Sequence, residues 1–168
     1  MKLAVVITSI FDNGWIERVS DQIKNEGIVE DVTIYMIPDN KTPKSVFDKA
    51  RDVAKIGIRI EMPTMEEQFA LEKQFGINGF ILQNSDHRRN IGYLMAYRDE
   101  FDAVLSMDDD NFPQTDDFFS KHMSVLSGTA VDSVHSVSAS SGFYNNCTLL
   151  EKGTHIHPRG FPFFAKKD

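Results

Sequence analysis

Three consecutive carboxylates, Asp108-Asp109-Asp110, follow the apolar run Ala103-Val104-Leu105-Ser106-Met107. Neighbouring like charges at the end of a buried strand repel one another, and a divalent cation resolves that repulsion most simply. In extended backbone, residues i and i+2 point to the same side, so Asp108 and Asp110 are expected to converge on one ion. Asp109 is then expected to point away, toward a sugar hydroxyl, an arginine or water. Oxygen-only ligands select a hard ion, Mg²⁺ or Mn²⁺, which keeps positions open for substrate phosphates. The chemistry that needs this is departure of a nucleoside diphosphate, whose growing charge a metal neutralises. The plain alternative is an acidic turn or helix cap, because Asp is common there.

Basic partners for such a phosphate precede the cluster. Arg88-Arg89 stand just before a helix carrying Ile91, Leu94 and Met95. Two guanidinium groups and the unpaired amides of a helix start near Asn90 favour phosphate oxygens. Read without a ligand, the same two residues are a solvated surface pair, and Asp39-Asn40 a plain turn.

The elements around these residues alternate. Leu3 to Ile7 is a continuous β-branched run, the pattern of a strand covered on both faces. Trp15, Ile16, Val19 and Ile23 then share one helical face, opened by Asn13 and stopped at Gly27. Val32 to Ile37 predicts a second strand, ended by Pro38. Ser45 opens a helix through Val46, Phe47, Ala50, Val53 and Ala54 to Gly57, with a short strand expected at Ile58 to Ile60. Thr64-Met65-Glu66-Glu67 has capping-box spacing and predicts a helix toward Phe75. The apolar Gly79 to Leu82 follows, and after Pro113 a helix spans Phe118, Phe119, His122, Met123 and Leu126. Val131 to Ser141 fits neither period well and is assigned to a strand. Strands alternating with helices predict a mostly parallel α/β sheet, Rossmann-like, whose ligand crevice lies beyond the carboxyl ends of its strands. Thr8, Asp39 and Asp108 fall at such ends.

Composition sets the outer limits. With 168 residues, 41% of them hydrophobic, the chain is expected to form one domain over 1–168. A formal charge of −7 argues against a nucleic-acid partner, which needs clustered Lys and Arg. The single cysteine, Cys147, excludes an internal disulfide and a thiolate zinc site; a small buried side chain in the cytoplasm is the expectation. Lys2 with Leu3 to Ile7 is too short for a signal peptide, and no run approaches the ~18 apolar residues of a transmembrane segment.

Four motifs in order carry a resemblance. Arg88-Arg89-Asn90-Ile91-Gly92-Tyr93-Leu94-Met95-Ala96-Tyr97, followed by Leu105-Ser106-Met107-Asp108-Asp109-Asp110-Asn111, resembles the RxNxGYLxA…DxDDDN pattern of STELLO-type glycosyltransferases and the plant reversibly glycosylated polypeptides. Pro38-Asp39-Asn40-Lys41-Thr42-Pro43 is similar to that group's GDxKTP segment, and His157-Pro158-Arg159-Gly160-Phe161-Pro162-Phe163 to its WPRGFPL or VRGYPF segment. The resemblance implies a GT-A fold, a UDP-sugar-like donor and a metal at the aspartates. It places Thr8, Ser9 and Asp39 at the base and ribose, and Lys41 and Arg89 at the diphosphate. Arg159 falls to the donor sugar or the phosphates as the candidate catalytic residue, against its reading as an Arg ordering a Gly-Pro turn. The chain departs from the pattern at Pro38, where the group has Gly, and at His157, where it has Trp. Relatives continue past the PRGFPFF segment into acceptor-site residues, so the expectation is a piece of a longer protein or a minimal donor-binding domain.

Three functions compete on these residues. The first is a metal-dependent glycosyltransferase. The second is a sugar-nucleotide mutase. The third is a non-catalytic donor-binding module that regulates another protein, with Phe161, Phe163 and Phe164 offering an apolar patch to a partner chain; a homo-oligomer also stays open. A phosphoryl-transfer protein ranks last, because no Gly-rich Walker loop is present. His155 and His157 could share a metal, but chance spacing is the better reading.

Overall fold

The computed structural model describes residues 1–129 together with 138, 140, 142–145, 147, 157 and 161–162. The chain divides into two compact units, Met1–Ala130 and Val131–Asp168.

The first unit is an α/β layer structure. Four strands, β1 (Leu3–Ser9), β2 (Val32–Pro38), β3 (Arg59–Glu61) and β4 (Ala103–Asp108), form one all-parallel sheet in the order β3-β2-β1-β4. Helices α1 (Trp15–Asn25), α2 (Lys44–Lys55), α3 (Met65–Gln74), α4 (Arg89–Arg98) and α5 (Phe118–Leu126) flank it. The central strands are apolar on both faces because both faces are covered. Leu3, Val5, Ile7, Ile34 and Met36 pack with Trp15, Ile16, Val19, Val46, Ala50 and Phe119, which places α1, α2 and α5 on one side. Ala4, Val6, Tyr35 and Ile37 pack with Leu71, Ile91, Met95 and Ala96, which places α3 and α4 on the other.

Local chemistry accounts for the boundaries. Gly27 follows α1 at φ 69°, a left-handed stop that costs glycine least. The predicted capping box forms: Thr64 Oγ1 accepts the Glu67 amide at 3.2 Å, and Glu67 Oε2 accepts the Thr64 amide at 2.7 Å. Gly92 lets α4 press onto the sheet, since a Cβ there would stand 2.4 Å from Val6 Cγ1. Glu26 at the end of α1 reaches the start of α5, where its carboxylate accepts the Phe119 amide at 3.0 Å and the Ser120 amide at 2.6 Å.

One segment differs from expectation in detail. The third strand is displaced by one residue, to Arg59–Glu61, and spans only three residues. The apolar run 79–82 joins no strand; Ile81 is buried, whereas Phe80 and Leu82 are exposed.

In the second unit, the Phe161 ring lies 6.5 Å from Phe143 and 5.0 Å from His157, centroid to centroid, and is half-buried instead of exposed. Cys147 is likewise half-buried. Arg159, His155, Phe163, Phe164 and most of the strand expected over 131–141 lie outside the described residues. Among the described residues no helix is long and apolar enough to cross a membrane.

Candidate functional site

Strand order reverses between β1 and β4, and a doubly wound sheet opens a crevice there, beyond the strands' carboxyl ends. Thr8 and Asp108 are register partners at that point. A cavity of about 310 Å³ opens beside them, within the range of small-ligand sites. Its lining brings together Thr8, Ser9, Asp39, Lys41, Arg89, Asp108, Asp109 and Asp110, residues drawn from four separate stretches of sequence. One candidate among the described residues is not in it: Asn90 is exposed, its side-chain amide folded back to donate to the His87 carbonyl at 2.9 Å. Arg159 lies outside the described residues.

The three aspartates do three different things. The chain leaves the extended conformation after Asp108, whose carbonyl accepts the Asn111 amide at 3.1 Å and closes a tight turn. Pleat alternation therefore does not carry through to Asp110, a correction to the sequence expectation. Asp108 and Asp110 reach the same cavity through the turn. Asp109 lines the cavity and also holds the protein: its Oδ2 accepts the Ser9 hydroxyl at 3.1 Å and the amides of Ile10 at 3.2 Å and Phe11 at 3.4 Å. Asn13 adds a bond to the Asp109 carbonyl at 2.7 Å, so this residue pins the loop after β1. Asp108 is ion-paired with Arg89. Asp110 is exposed and makes no hydrogen bond or ion pair among the described residues.

Ser9 is 1% exposed, and its hydroxyl is engaged already, accepting from the Trp15 indole at 2.9 Å while donating to Asp109. It builds the floor of the cavity and has no free hydroxyl for a ribose. Asp39 is 8% exposed, with one carboxylate oxygen on the Asn40 amide at 2.7 Å. Thr42, which the sequence reading passed over, fixes it: the Thr42 hydroxyl accepts the Asp39 amide at 2.8 Å and donates to the Ser9 carbonyl at 2.6 Å. The KTP triplet thus ties the end of β2 to the end of β1 and leaves Lys41 exposed beside the cavity.

The arginine pair splits. Arg88 is 1% exposed, not a surface residue, and it binds Glu72 at 3.2 Å, the Ile81 carbonyl at 3.3 Å and Gln68. Its Nε is buried and has no hydrogen-bond partner among the described residues. Arg89 is the half-buried cavity residue; Nε reaches the Asp86 carbonyl at 3.3 Å and Nη1 the Ser106 hydroxyl at 3.4 Å. Burial opposes its charge, but the Asp108 carboxylate outweighs burial and holds the Arg89 pKa above its ordinary value. Part of the helix start is already engaged: a short 3₁₀ turn, Asp86–Arg88, precedes α4, and the Arg88 and Arg89 amides bond the Ser85 and Asp86 carbonyls.

Sequence reasoning missed the rest of the wall, Asn84, Ser85 and Asp86, and the apolar rim of Ile10 and Phe11. The signal was present in Asn-Ser-Asp, a turn-forming triplet; Ser85 Oγ accepts the His87 amide at 3.1 Å as a cap. The lining then carries five aspartates against Lys41, Arg88 and Arg89, and Arg88 is already matched by Glu72. Such a cavity repels an anion unless a cation enters with it. No three His, Cys, Asp or Glu side chains among the described residues form a self-sufficient metal site. Asp108 and Asp110 fit a different type, a hard ion held by one or two carboxylates and completed by water and phosphate oxygens.

These features define an α/β protein with a cavity lined by charged residues at the switch point of a parallel sheet. No protein-family profile matches the chain, and no curated protein does.

Proposed function

We propose that the chain is the donor-binding domain of a GT-A-type glycosyltransferase that takes a nucleoside diphosphate sugar, UDP-linked, with Mn²⁺ or Mg²⁺ at Asp108 and Asp110. The observation that carries this reading is the charge pattern of the switch-point cavity, where five aspartates outnumber Lys41 and Arg89, and Arg89 is already paired with Asp108. An ion and a pyrophosphate together satisfy both sets; neither does so alone.

The chain's residues then have distinct tasks. Asp39, nearly buried beside the strand ends, offers its remaining carboxylate oxygen to a nucleoside hydroxyl or base N–H. Lys41 and Arg89 bind and orient the diphosphate, Arg89 with the planar fork suited to phosphate oxygens. Asp109 holds the β1–α1 loop around the donor through the Ser9, Ile10 and Phe11 contacts. A bound divalent cation supplies neutralisation of the negative charge on the departing diphosphate.

Calorimetric titration of a nucleotide panel, with and without Mn²⁺, tests the proposal on the parent and on Asp110→Ala. Expected are metal-dependent UDP binding by the parent and at least about tenfold weaker binding by the variant, roughly 1.4 kcal/mol. Equal affinities would remove the case for the metal. Hydrolysis or transfer of a UDP-sugar separates an enzyme from a binding module.

A further inference from the structure

Asp108 is half-exposed, but its carboxylate is already matched by a cation. The Arg89 guanidinium occupies it, and the Ser106 hydroxyl and the Asp86 carbonyl hold that guanidinium in place. Lys41, the other cavity cation not matched to Glu72, has no ion-pair partner among the described residues. Two cations therefore line one cavity in different states, one committed to the aspartate cluster and one not.

We propose that Arg89 is an exchangeable counter-ion: it neutralises Asp108 in the absence of ligand and transfers to diphosphate oxygens when a divalent cation takes that carboxylate. The inference rests on the functional reading above and adds that cation and nucleotide load as a coupled pair through this side chain. A divalent ion arriving alone must compete with a guanidinium for Asp108 and sit beside its positive charge. Once displaced, Arg89 needs a bidentate anion to replace the carboxylate, and a diphosphate provides one. The nucleotide thus lowers the cost of admitting the ion, and by linkage the ion favours the nucleotide to the same degree. Because the pair is partly solvent-exposed, the effect is a matter of several-fold.

The experiment measures Mn²⁺ affinity in the absence and presence of saturating UDP for the parent, Arg89→Met and Lys41→Met. Exchange predicts that R89M binds Mn²⁺ alone about fivefold tighter, and that the improvement conferred by UDP shrinks by at least that factor. K41M removes a cavity cation that is not on Asp108 and is expected to shift Mn²⁺ affinity less than about twofold in the absence of UDP, while weakening UDP binding. A residue with a purely structural role would not increase metal affinity on removal. Arg89→Gln replaces R89M if circular dichroism shows that the latter is not folded like the parent. If the arginine variant binds Mn²⁺ no tighter, or K41M tightens it as much, the exchange is wrong while metal-dependent UDP binding by the parent stands. If the parent binds UDP equally with and without Mn²⁺, or not at all, the functional reading fails and the exchange with it.

Discussion

The two faces of the sheet are built from different materials. Against α1, α2 and α5 the sheet presents Leu3, Val5, Ile7, Ile34 and Met36, and the helices answer with apolar side chains. Against α3 and α4 the interior also holds three polar residues, Gln68, Glu72 and Arg88, all essentially buried. Apolar burial is non-directional and rewards area, whereas an ion pair with hydrogen bonds fixes the position of what it joins. What Arg88 joins is α3, the 79–82 segment and the entry to α4, where Arg89 turns into the cavity. The first face chiefly supplies cohesion, and the second also sets the position of a cavity residue.

Disrupting the polar face is expected to have the largest effect. Arg88→Ala leaves Glu72 buried and unpaired, so urea unfolding should show a loss of about 3–5 kcal/mol, with weakened UDP binding in whatever remains folded. Gly92→Ala drives a methyl into Val6 and should cost about 1–3 kcal/mol by the same assay. On the apolar face, Ile34→Val should cost about 1 kcal/mol and leave UDP affinity unchanged; a comparable loss of binding would erase the distinction between the faces.

The smallest effect comes from Glu26→Gln at the α1–α5 joint, about 1 kcal/mol at neutral pH. Burial alone would raise the Glu26 pKa, but hydrogen bonds from Ser120, Gln22 and the Phe119 amide outweigh it and hold it below its ordinary value of 4.5. A carboxylate depressed in the folded state contributes its full stability above the unfolded pKa and loses it as pH falls through the folded value. Unfolding curves at neutral and strongly acidic pH should therefore converge for parent and variant at low pH.

Much of this arrangement was legible in the sequence because it is local. The β-branched runs located β1 and β2, the run ending at Met107 located β4, the Thr64-Glu67 spacing located α3, and the strand ends located most of the cavity lining; β4, however, is half-exposed at the end of the sheet and not the buried strand expected. What escaped depends on distant partners. Arg88 looked like a surface residue because Glu72, sixteen positions away, sits on another helix. Asp109 was expected to face a sugar hydroxyl, an arginine or water, because the donors that reach it, the Ile10 and Phe11 amides, lie about a hundred residues earlier in the chain. Asp110 was placed by strand periodicity, although the turn closed by Asn111 begins before it.

The Asp109 latch also determines how the cavity can recognise anything negatively charged. In many switch-point crevices a phosphate is received by main-chain amides. Here the Ile10 and Phe11 amides are occupied by a side chain of the protein itself, and the Arg88 and Arg89 amides by a 3₁₀ turn. A diphosphate bound as proposed is then left to side-chain cations, the exposed Lys41 and the half-buried Arg89, whose grip ionic strength loosens.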